Sequence, residues 1–308
     1  MHFASRQRGV ALLVALLVVA LATVLIASLL DRGELGLART RNQLLEAQAE
    51  AYAQGLEAYA ARILQQAWAL NGGGADSNGS MWAVPLPPTP VPGGSIAATM
   101  RDRNGCFNLN NLVDAAGAPN PLWQEKFRRL LSALRLDPNL AEAVGAWQDS
   151  RPGNEDPYYL AQPVAYRAAK RQFIHVSELR LVKGVSGDVY TALAPHVCAL
   201  PRGTRINVNT ASVPVLMTLS GVTTEQMAQR VWQDGHANYP DLAALQAIVP
   251  GIQAESLYYG VSSGYFQARG EITLDGRPFT FNSLIERRLG SGADGGIRVI
   301  ARGRGSDE

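Results

Sequence analysis

The sequence has few of the residues that most often carry catalytic or metal chemistry. Its 308 residues include four histidines and two cysteines, with no Cys-x-x-Cys or His-Glu-x-x-His pair. A zinc site of standard spacing is therefore not expected. The Gly-x-Ser-x-Gly nucleophile elbow and the phosphate-binding loop that ends in Gly-Lys-Ser/Thr are also missing. These absences favour a protein that is not an enzyme.

An excess of charge of one sign is also lacking. The chain has 28 Lys and Arg against 26 Asp and Glu, a formal net charge of +2, so it shows no overall electrostatic attraction to nucleic acid. Charge is nevertheless unevenly distributed, because the 21-residue run from Val10 to Leu30 has none. At about 1.5 Å per residue this run forms a helix of roughly 30 Å, the thickness of a bilayer core. We predict a transmembrane helix over residues 10–30.

The residues that flank this run predict its orientation. Arg6 and Arg8 precede it and Asp31 follows it, which places the N-terminus in the cytoplasm and everything after residue 31 in the periplasm or outside. The run exceeds the roughly 7–15 apolar residues of a secretory signal. Gly9 also lies immediately before the run, whereas the small residues of a signal cleavage site follow the apolar region. The segment is therefore not a standard signal peptide.

Proline is missing from the first part of the chain, and Pro85 is the first one. Between residues 31 and 70, apolar residues recur three or four positions apart, which is the pattern of an amphipathic helix. We predict a single helix of roughly 55–60 residues, half in the membrane and half amphipathic. Gly33, Gly36 and Gly55 are points where it could bend.

Composition changes sharply after this helix. Five prolines within residues 85–92 predict a stiff extended connector, and residues 95–101 have the pattern of a strand. From about residue 122 to 259 the pattern is helical, including segments at 176–181 and 241–248. Strands return at 265–274, 278–287 and 297–302. The middle of the chain therefore reads as a helical insertion between β segments.

Three short runs in this insertion have the pattern of helix-hairpin-helix turns. They are centred on Gly184, Gly221 and Gly251, and INVNTAS at 206–212 resembles the run that precedes such units in nucleic-acid-binding proteins. Those proteins grip phosphate with backbone amides and nearby cations. Residues 177–260, however, have five basic and six acidic residues, a net charge of −1. We interpret the turns as a packing motif and keep membrane-tethered DNA binding as an alternative.

The two cysteines and one acidic run are the remaining candidate sites. Cys106 and Cys198 are expected to pair in an exported domain, with a metal ligand or a nucleophile as the alternative. In the run DSRPGNEDPYY, the carboxylates of Asp149, Glu155 and Asp156 lie among turn residues and suit a hard cation such as calcium. The alternative is a solvated loop that caps the next helix.

Several runs together resemble a known family. A short basic leader that ends in glycine and is followed directly by a long apolar helix resembles the type IV pilin class of prepilins. The rest of the chain is similar to the minor pseudopilin of type II secretion called general secretion pathway protein K. The runs that carry this similarity are RDRNGCFNLNNL (101–112), GNEDPYYL (153–160), HVSELRLVKGV (175–185), LAPHVCALP (193–201) and INVNTAS (206–212).

The resemblance implies a fold and a division of the chain. The fold is α+β, with a long N-terminal helix, transmembrane in part, packed on a small antiparallel sheet (the pseudopilin fold). A large helical insertion domain with helix-hairpin-helix-like units interrupts it. The parts are a leader (1–9), a transmembrane helix (10–30), a periplasmic helix with the first part of the pseudopilin domain (31–110), the helical insertion (111–260) and C-terminal strands (261–308).

The resemblance also implies roles for individual residues. A prepilin peptidase would cut between Gly9 and Val10 and methylate the new N-terminus. The family strengthens the expectation of a Cys106–Cys198 bridge and of calcium binding, although Arg151 stands where a second acid is expected. Most pilins have glutamate five residues into the mature chain, where this sequence has Val14. A buried carboxylate is unfavourable unless it is paired, so a subunit that need not dock on a preceding subunit can lack it.

The function implied is that of a structural tip component of the type II secretion pseudopilus, not a catalyst. Its expected partners are the I- and J-type minor pseudopilins, the major pseudopilin, the prepilin peptidase and the inner membrane, with no nucleic acid. The bulk of the chain would lie in the periplasm. Loss of Arg6 and Arg8 with the leader would leave 26 basic and 26 acidic residues, a net charge of zero. A minor pilin of a type IV pilus or competence system is the alternative.

Overall fold

The computed structural model describes residues 7–151, 157–288 and 296–305 of the chain. Helix α1 spans Gln7–Leu70, 64 residues without interruption, so the prediction of a single long helix is confirmed. It ends where Gly72 and Gly73 adopt left-handed φ angles of 59° and 77°, and the Gly73 amide donates to the Trp68 carbonyl over 2.9 Å. Glycine commonly closes a helix in this way because it has no side chain to strain.

The chain divides into two compact units, residues 1–54 and 55–308. Within the described residues, the second unit contains nine strands. In chain order they are β1 (Leu86–Val91), β2 (Gly94–Asp102), β3 (Phe107–Asn108), β4 (Val197–Cys198), β5 (Ile206–Asn207), β6 (Tyr259–Gly260), β7 (Tyr265–Leu274), β8 (Arg277–Arg288) and β9 (Gly296–Arg304). Five of them form an antiparallel sheet in the order β1-β2-β7-β8-β9. The predicted strands at 95–101, 265–274, 278–287 and 297–302 are thereby confirmed.

The proline-rich segment is the main difference from the predicted elements. It was expected to be an extended connector, and it is extended, but it pairs with β2 as strand β1 at one edge of the sheet. Proline lacks the amide hydrogen that a central strand must donate, so an edge is where a sheet tolerates it. The Asp275-Gly276 turn joins β7 to β8 with φ angles of 52° and 75°, as its Asp-Gly sequence predicts.

The last turns of α1 pack on this sheet. Ala60, Leu64 and Ala67 lie three or four residues apart and form a small core with Trp82, Phe266 and Ile285. Gly270 in β7 allows close approach, because a Cβ atom there would lie 2.9 Å from Cδ1 of Leu56. At the opposite edge of the contact, the Glu57 carboxylate accepts from Arg302 of β9 over 2.8 Å at each oxygen.

The helical insertion has its own larger core. Its helices are α2 (Pro121–Ala133), α3 (Leu140–Gln148), α4 (Pro157–Leu160), α5 (Gly187–Leu193), α6 (Val213–Leu216) and α7 (Glu225–Trp232). Phe107, Phe127 and Tyr259 are among its fully buried side chains. The predicted helix at 176–181 is a 3-10 helix, and only Ala243–Leu245 of the segment 241–248 forms one. Pro240 and Pro250 leave that segment too short to nucleate an α-helix.

Two parallel ladders of two residues each connect parts of the chain that are distant in sequence. Strand β3 pairs with β4, and β5 pairs with β6. Neither ladder was predicted, because two residues are too few to show a periodic pattern.

Candidate functional site

The apolar part of α1 presents its side chains outward. From Val10 to Leu30 the large apolar residues are exposed, and the helix is long and apolar enough to cross a membrane by length and composition. The hydroxyls of Thr23 and Ser28 donate to the carbonyls of Ala20 and Leu25, over 2.8 and 2.9 Å. A bilayer requires such internal hydrogen bonds because it offers polar groups no water. The predicted cleavage bond between Gly9 and Val10 lies in the first turn of α1.

The two cysteines are bonded to each other. Cys106 and Cys198 have Cα atoms 5.8 Å apart and are separated by 92 residues. Cys198 is buried in β4, where it pairs in register with Asn108 of β3. The bridge agrees with the expectation of pairing in an exported domain and leaves no free thiol among the described residues. A closed loop of this length constrains the unfolded chain by about 4–5 kcal/mol in the entropic account.

A run of buried asparagines follows Cys106 and holds the segment after Cys198. The side-chain amides of Asn108, Asn110 and Asn111 donate to the carbonyls of Pro201, Leu200 and Thr204, over 2.9, 2.9 and 2.8 Å. Their side-chain oxygens accept in return from the amides of Leu200, Phe173 and Gly203. These side chains make the hydrogen bonds that a regular sheet would otherwise provide for the segment. The run FNLNNL is thus structural.

The acidic run is only partly described, because the predicted calcium ligands Glu155 and Asp156 lie outside the described residues. Asp149 is 1% exposed, and both of its oxygens accept hydrogen bonds from Arg151: Nε to Oδ1 is 3.0 Å and Nη2 to Oδ2 is 2.6 Å. The Arg151 backbone amide also donates to Oδ1 over 3.0 Å. In the described ranges, no three His, Cys, Asp or Glu residues are grouped to hold a metal.

In the described structure, the carboxylate of Asp149 faces a guanidinium and not a group of further oxygen ligands. A calcium ion takes six to eight oxygen ligands, and the guanidinium already uses both oxygens of this carboxylate. The nearby acid Asp114 caps its own turn, with Oδ1 accepting from the amides of Ala116 and Ala118 over 2.9 Å each. Calcium binding at Asp149, Glu155 and Asp156 therefore stays a prediction, in which Glu155 and Asp156 carry most of the site.

The helix-hairpin-helix-like turns are packed into the insertion core. Two residues before each of the three glycines lies an apolar residue with a buried side chain: Val182, Leu219 and Val249. Gly184 and Gly251 have φ angles of 82° and 81°, a conformation that favours glycine in a tight turn. This burial agrees with our interpretation of the turns as a packing motif.

A buried ionic network, which the sequence did not reveal, lies between the sheet and the helical insertion. The Arg287 guanidinium of β8 pairs with Asp76, which follows α1, and donates to the Ser263 carbonyl over 2.6 Å. Asp76 also accepts from the Trp82 indole over 3.2 Å and from the Ser263 amide over 2.8 Å. The guanidinium carbon lies 4.5 Å from the ring centre of Trp68. The charge is thereby paired with a carboxylate and lies against an aromatic ring.

A second buried carboxylate, Asp102 at the end of β2, belongs to the same region. It accepts from the Ser263 hydroxyl over 2.6 Å, from the Asn207 amide over 3.0 Å and from the Thr210 hydroxyl. Burial raises the pKa of Asp102, and the hydrogen bonds from Ser263 and Thr210 oppose that rise. Asn207 and Thr210 belong to the INVNTAS run, so this run serves as a structural joint.

Sequence similarity to known proteins extends over nearly the whole chain. Residues 105–202 match the family model for type II secretion system (T2SS), protein K. Type II secretion system protein K of Pseudomonas aeruginosa is 36% identical over 318 residues, covering 97% of this chain and 93% of that protein. The protein of the same description from Pectobacterium carotovorum subsp. carotovorum is 37% identical over 262 residues, covering 79% of this chain and 80% of that protein.

A solved structure gives the same result. A chain in the crystal structure of the GspK-GspI-GspJ complex from the type 2 secretion system of enterotoxigenic Escherichia coli is similar, with a TM-score of 0.73 and 30% identity. The match covers 87% of this chain and 99% of that chain. By identity to full-length relatives and by fold, the chain belongs to the protein K family of type II secretion systems and is a minor pseudopilin.

Proposed function

We propose that this minor pseudopilin stands at the tip of the type II secretion pseudopilus, where it acts in pseudopilus assembly and in the export of folded proteins across the outer membrane. The observation that carries the proposal is the similarity, over 87% of the chain, to a chain in a crystallised GspK-GspI-GspJ complex. We infer that this protein assembles with the I- and J-type minor pseudopilins of its own system and, through them, meets the major pseudopilin.

The membrane helix supports a terminal position. After removal of nine residues, Val14 would be the fifth residue of the mature chain, and its side chain is apolar and half exposed on α1. A subunit inside the filament needs a carboxylate here to neutralise the N-terminal amine of its neighbour, whereas an unpaired carboxylate in a bilayer is strongly unfavourable. Valine therefore suits a subunit that does not dock on a preceding one.

Co-purification and crosslinking test this placement. The full chain, tagged at its C-terminus, is produced with the I-type, J-type and major pseudopilins of the same system, and complexes are captured from detergent-solubilised membranes. We expect stoichiometric recovery of the I- and J-type subunits, and crosslinks to the major pseudopilin that increase with Val14→Glu. Val18→Glu, one helical turn further along, is the control and should not increase them. Recovery of the major pseudopilin alone would contradict the proposal.

We also propose that the chain is a prepilin peptidase substrate, cut between Gly9 and Val10 and methylated on the new N-terminus. Gly9→Ala is expected to leave a full-length precursor, detected by intact-mass measurement of the purified protein. Gly33→Ala is a matched control, since an added Cβ there meets nothing within 4 Å, and it should be processed normally. Normal cleavage of Gly9→Ala would contradict the proposal.

We propose an inner-membrane location with residues after α1's apolar part in the periplasm. The charge asymmetry around residues 10–30 and the Cys106–Cys198 bridge, which needs an oxidising compartment, support it.

Calcium at Glu155 and Asp156 is a further proposal. We expect a chelator to lower the melting temperature of the wild type and not of Asp156→Ala.

A further inference from the structure

The end of helix α3 has a buried carboxylate, that of Asp149, next to the negative end of the helix dipole. Asp149 is the C-cap residue of α3, next to the negative end of the helix dipole, where a carboxylate is unfavourable. It is also 1% exposed, so water does not screen it. A carboxylate in this position requires a positive charge in contact with it.

Arg151 supplies that charge in the geometry expected of a dedicated partner. Its Nε and Nη2 atoms donate to the two different oxygens of Asp149, over 3.0 and 2.6 Å. This is the two-bond pairing of guanidinium with carboxylate, which is stronger and more specific than a single contact. The arginine is two residues from the acid, and its own backbone amide donates to Oδ1 over 3.0 Å, so the turn and the ion pair form together.

The surroundings leave little room for a different arrangement. Gly117 approaches this turn so closely that a Cβ atom on it would lie 2.1 Å from Oγ of Ser150. The Lys170 amide donates to the Trp147 carbonyl over 2.9 Å at the last turn of α3. The Trp147 ring lies against Tyr159, with ring centres 5.3 Å apart. These contacts hold Trp147 and Ser150 on either side of Asp149, whose two carboxylate oxygens accept from Arg151.

We propose that the Arg151 guanidinium occupies the place that a metal cation would take at Asp149. This internal counter-ion orders the end of α3, and Asp149 is not a metal ligand in this protein. A divalent ion and the guanidinium are alternative occupants of the same pair of oxygens. Removal of Arg151 would then open Asp149 to calcium, which a hard carboxylate oxygen prefers.

Melting temperatures of the full-length protein in detergent micelles test the proposal. The wild type, Arg151→Gln, Arg151→Lys and the double variant Asp149→Asn/Arg151→Gln are each heated in a calcium chelator and in excess calcium. Arg101→Gln, the loss of an exposed arginine on β2, is the control for a change in net charge. In chelator, we expect Arg151→Gln to melt roughly 3 °C or more below the wild type, with Arg151→Lys between them and Arg101→Gln unchanged.

Calcium is expected to raise the melting temperature of Arg151→Gln more than that of the wild type. Equal melting of Arg151→Gln and wild type in chelator, or equal calcium shifts in both, would overturn the proposal. If Arg151→Gln does not fold, the double variant Asp149→Asn/Arg151→Gln decides. A double variant that folds supports the counter-ion role, and one that does not fold overturns it. Calcium binding at Glu155 and Asp156 is tested separately, because it predicts a shift already in the wild type that Asp156→Ala removes.

Discussion

Asn108, Asn110 and Asn111 are buried, and their amides reach carbonyls some 90 residues away in sequence, at Pro201, Leu200 and Thr204. Asn207 does the same at the joint with the sheet, where it reaches Asp102 and the Ser263 hydroxyl. Buried amides of this kind must be hydrogen-bonded, so they fix one arrangement of the loops they join. The runs that resembled the protein K family thus hold the loops of the domain in place.

The buried pair of Arg287 and Asp76 predicts a large effect of a single substitution. Arg287→Gln would leave Asp76 buried at 2% exposure without its cation, and we expect the free energy of unfolding to fall by about 3–5 kcal/mol. Arg288→Gln, one residue along the same strand, removes a half-exposed partner of Glu286 and should change it by less than about 1 kcal/mol. Chemical denaturation of both variants compares the two values, and similar losses would contradict the assignment.

Glu57 predicts the direction of an acid-induced loss of stability. Hydrogen bonding to Arg302 holds the pKa of Glu57 below its ordinary value of 4.5. A lowered folded-state pKa stabilises the protein above pH 4.5 and loses that contribution as the pH falls through the folded pKa. We expect the melting temperature of Glu57→Gln to fall less steeply below pH 4.5 than that of the wild type. Parallel pH profiles would contradict the assignment.

At the scale of elements, the five-stranded sheet and α1 depend on close approach at one position. In Gly270→Val, the added Cβ atom would lie only 2.9 Å from Cδ1 of Leu56, and it would also carry two methyl groups. We expect it to lower the free energy of unfolding by about 1–3 kcal/mol through overpacking. In Gly303→Val, on β9, an added Cβ meets nothing within 4 Å, so that variant should be close to neutral. Denaturant titration of both separates overpacking from the general effect of valine.

The membership of the proline-rich strand β1 in the sheet has no signal in its own sequence. The prolines of 85–92 correctly predict extended backbone, yet the same prolines argue against membership of a sheet. Residues of β2 decide the outcome, because Ile96 and Ala98 pair with Thr89 and Leu86 while the other side of β2 pairs with β7. Edge position is a property of the whole sheet and has no local signal in β1.

At the scale of the whole molecule, the apolar part of α1 predicts how the protein behaves in cells. The full chain should remain with the membrane fraction after alkaline carbonate washing and be released by detergent, because an inserted helix would bury 21 uncharged residues in lipid. A variant that lacks residues 7–30 is the control and should be released by carbonate. Immunoblotting of the two fractions measures the difference, and carbonate release of the full chain would contradict membrane insertion.

The sequence by itself determined the long helix, the sheet strands with a pattern of their own, the apolar span and the family. Each of these depends on local periodicity, on composition or on motifs that are contiguous in the chain. Only the tertiary structure decided that the proline-rich segment is an edge strand, that Asp76, Asp102 and Arg287 meet at one joint, and that Arg151 occupies the oxygens of Asp149. Those facts depend on residues distant in sequence, or on burial and side-chain direction, which a linear pattern does not specify.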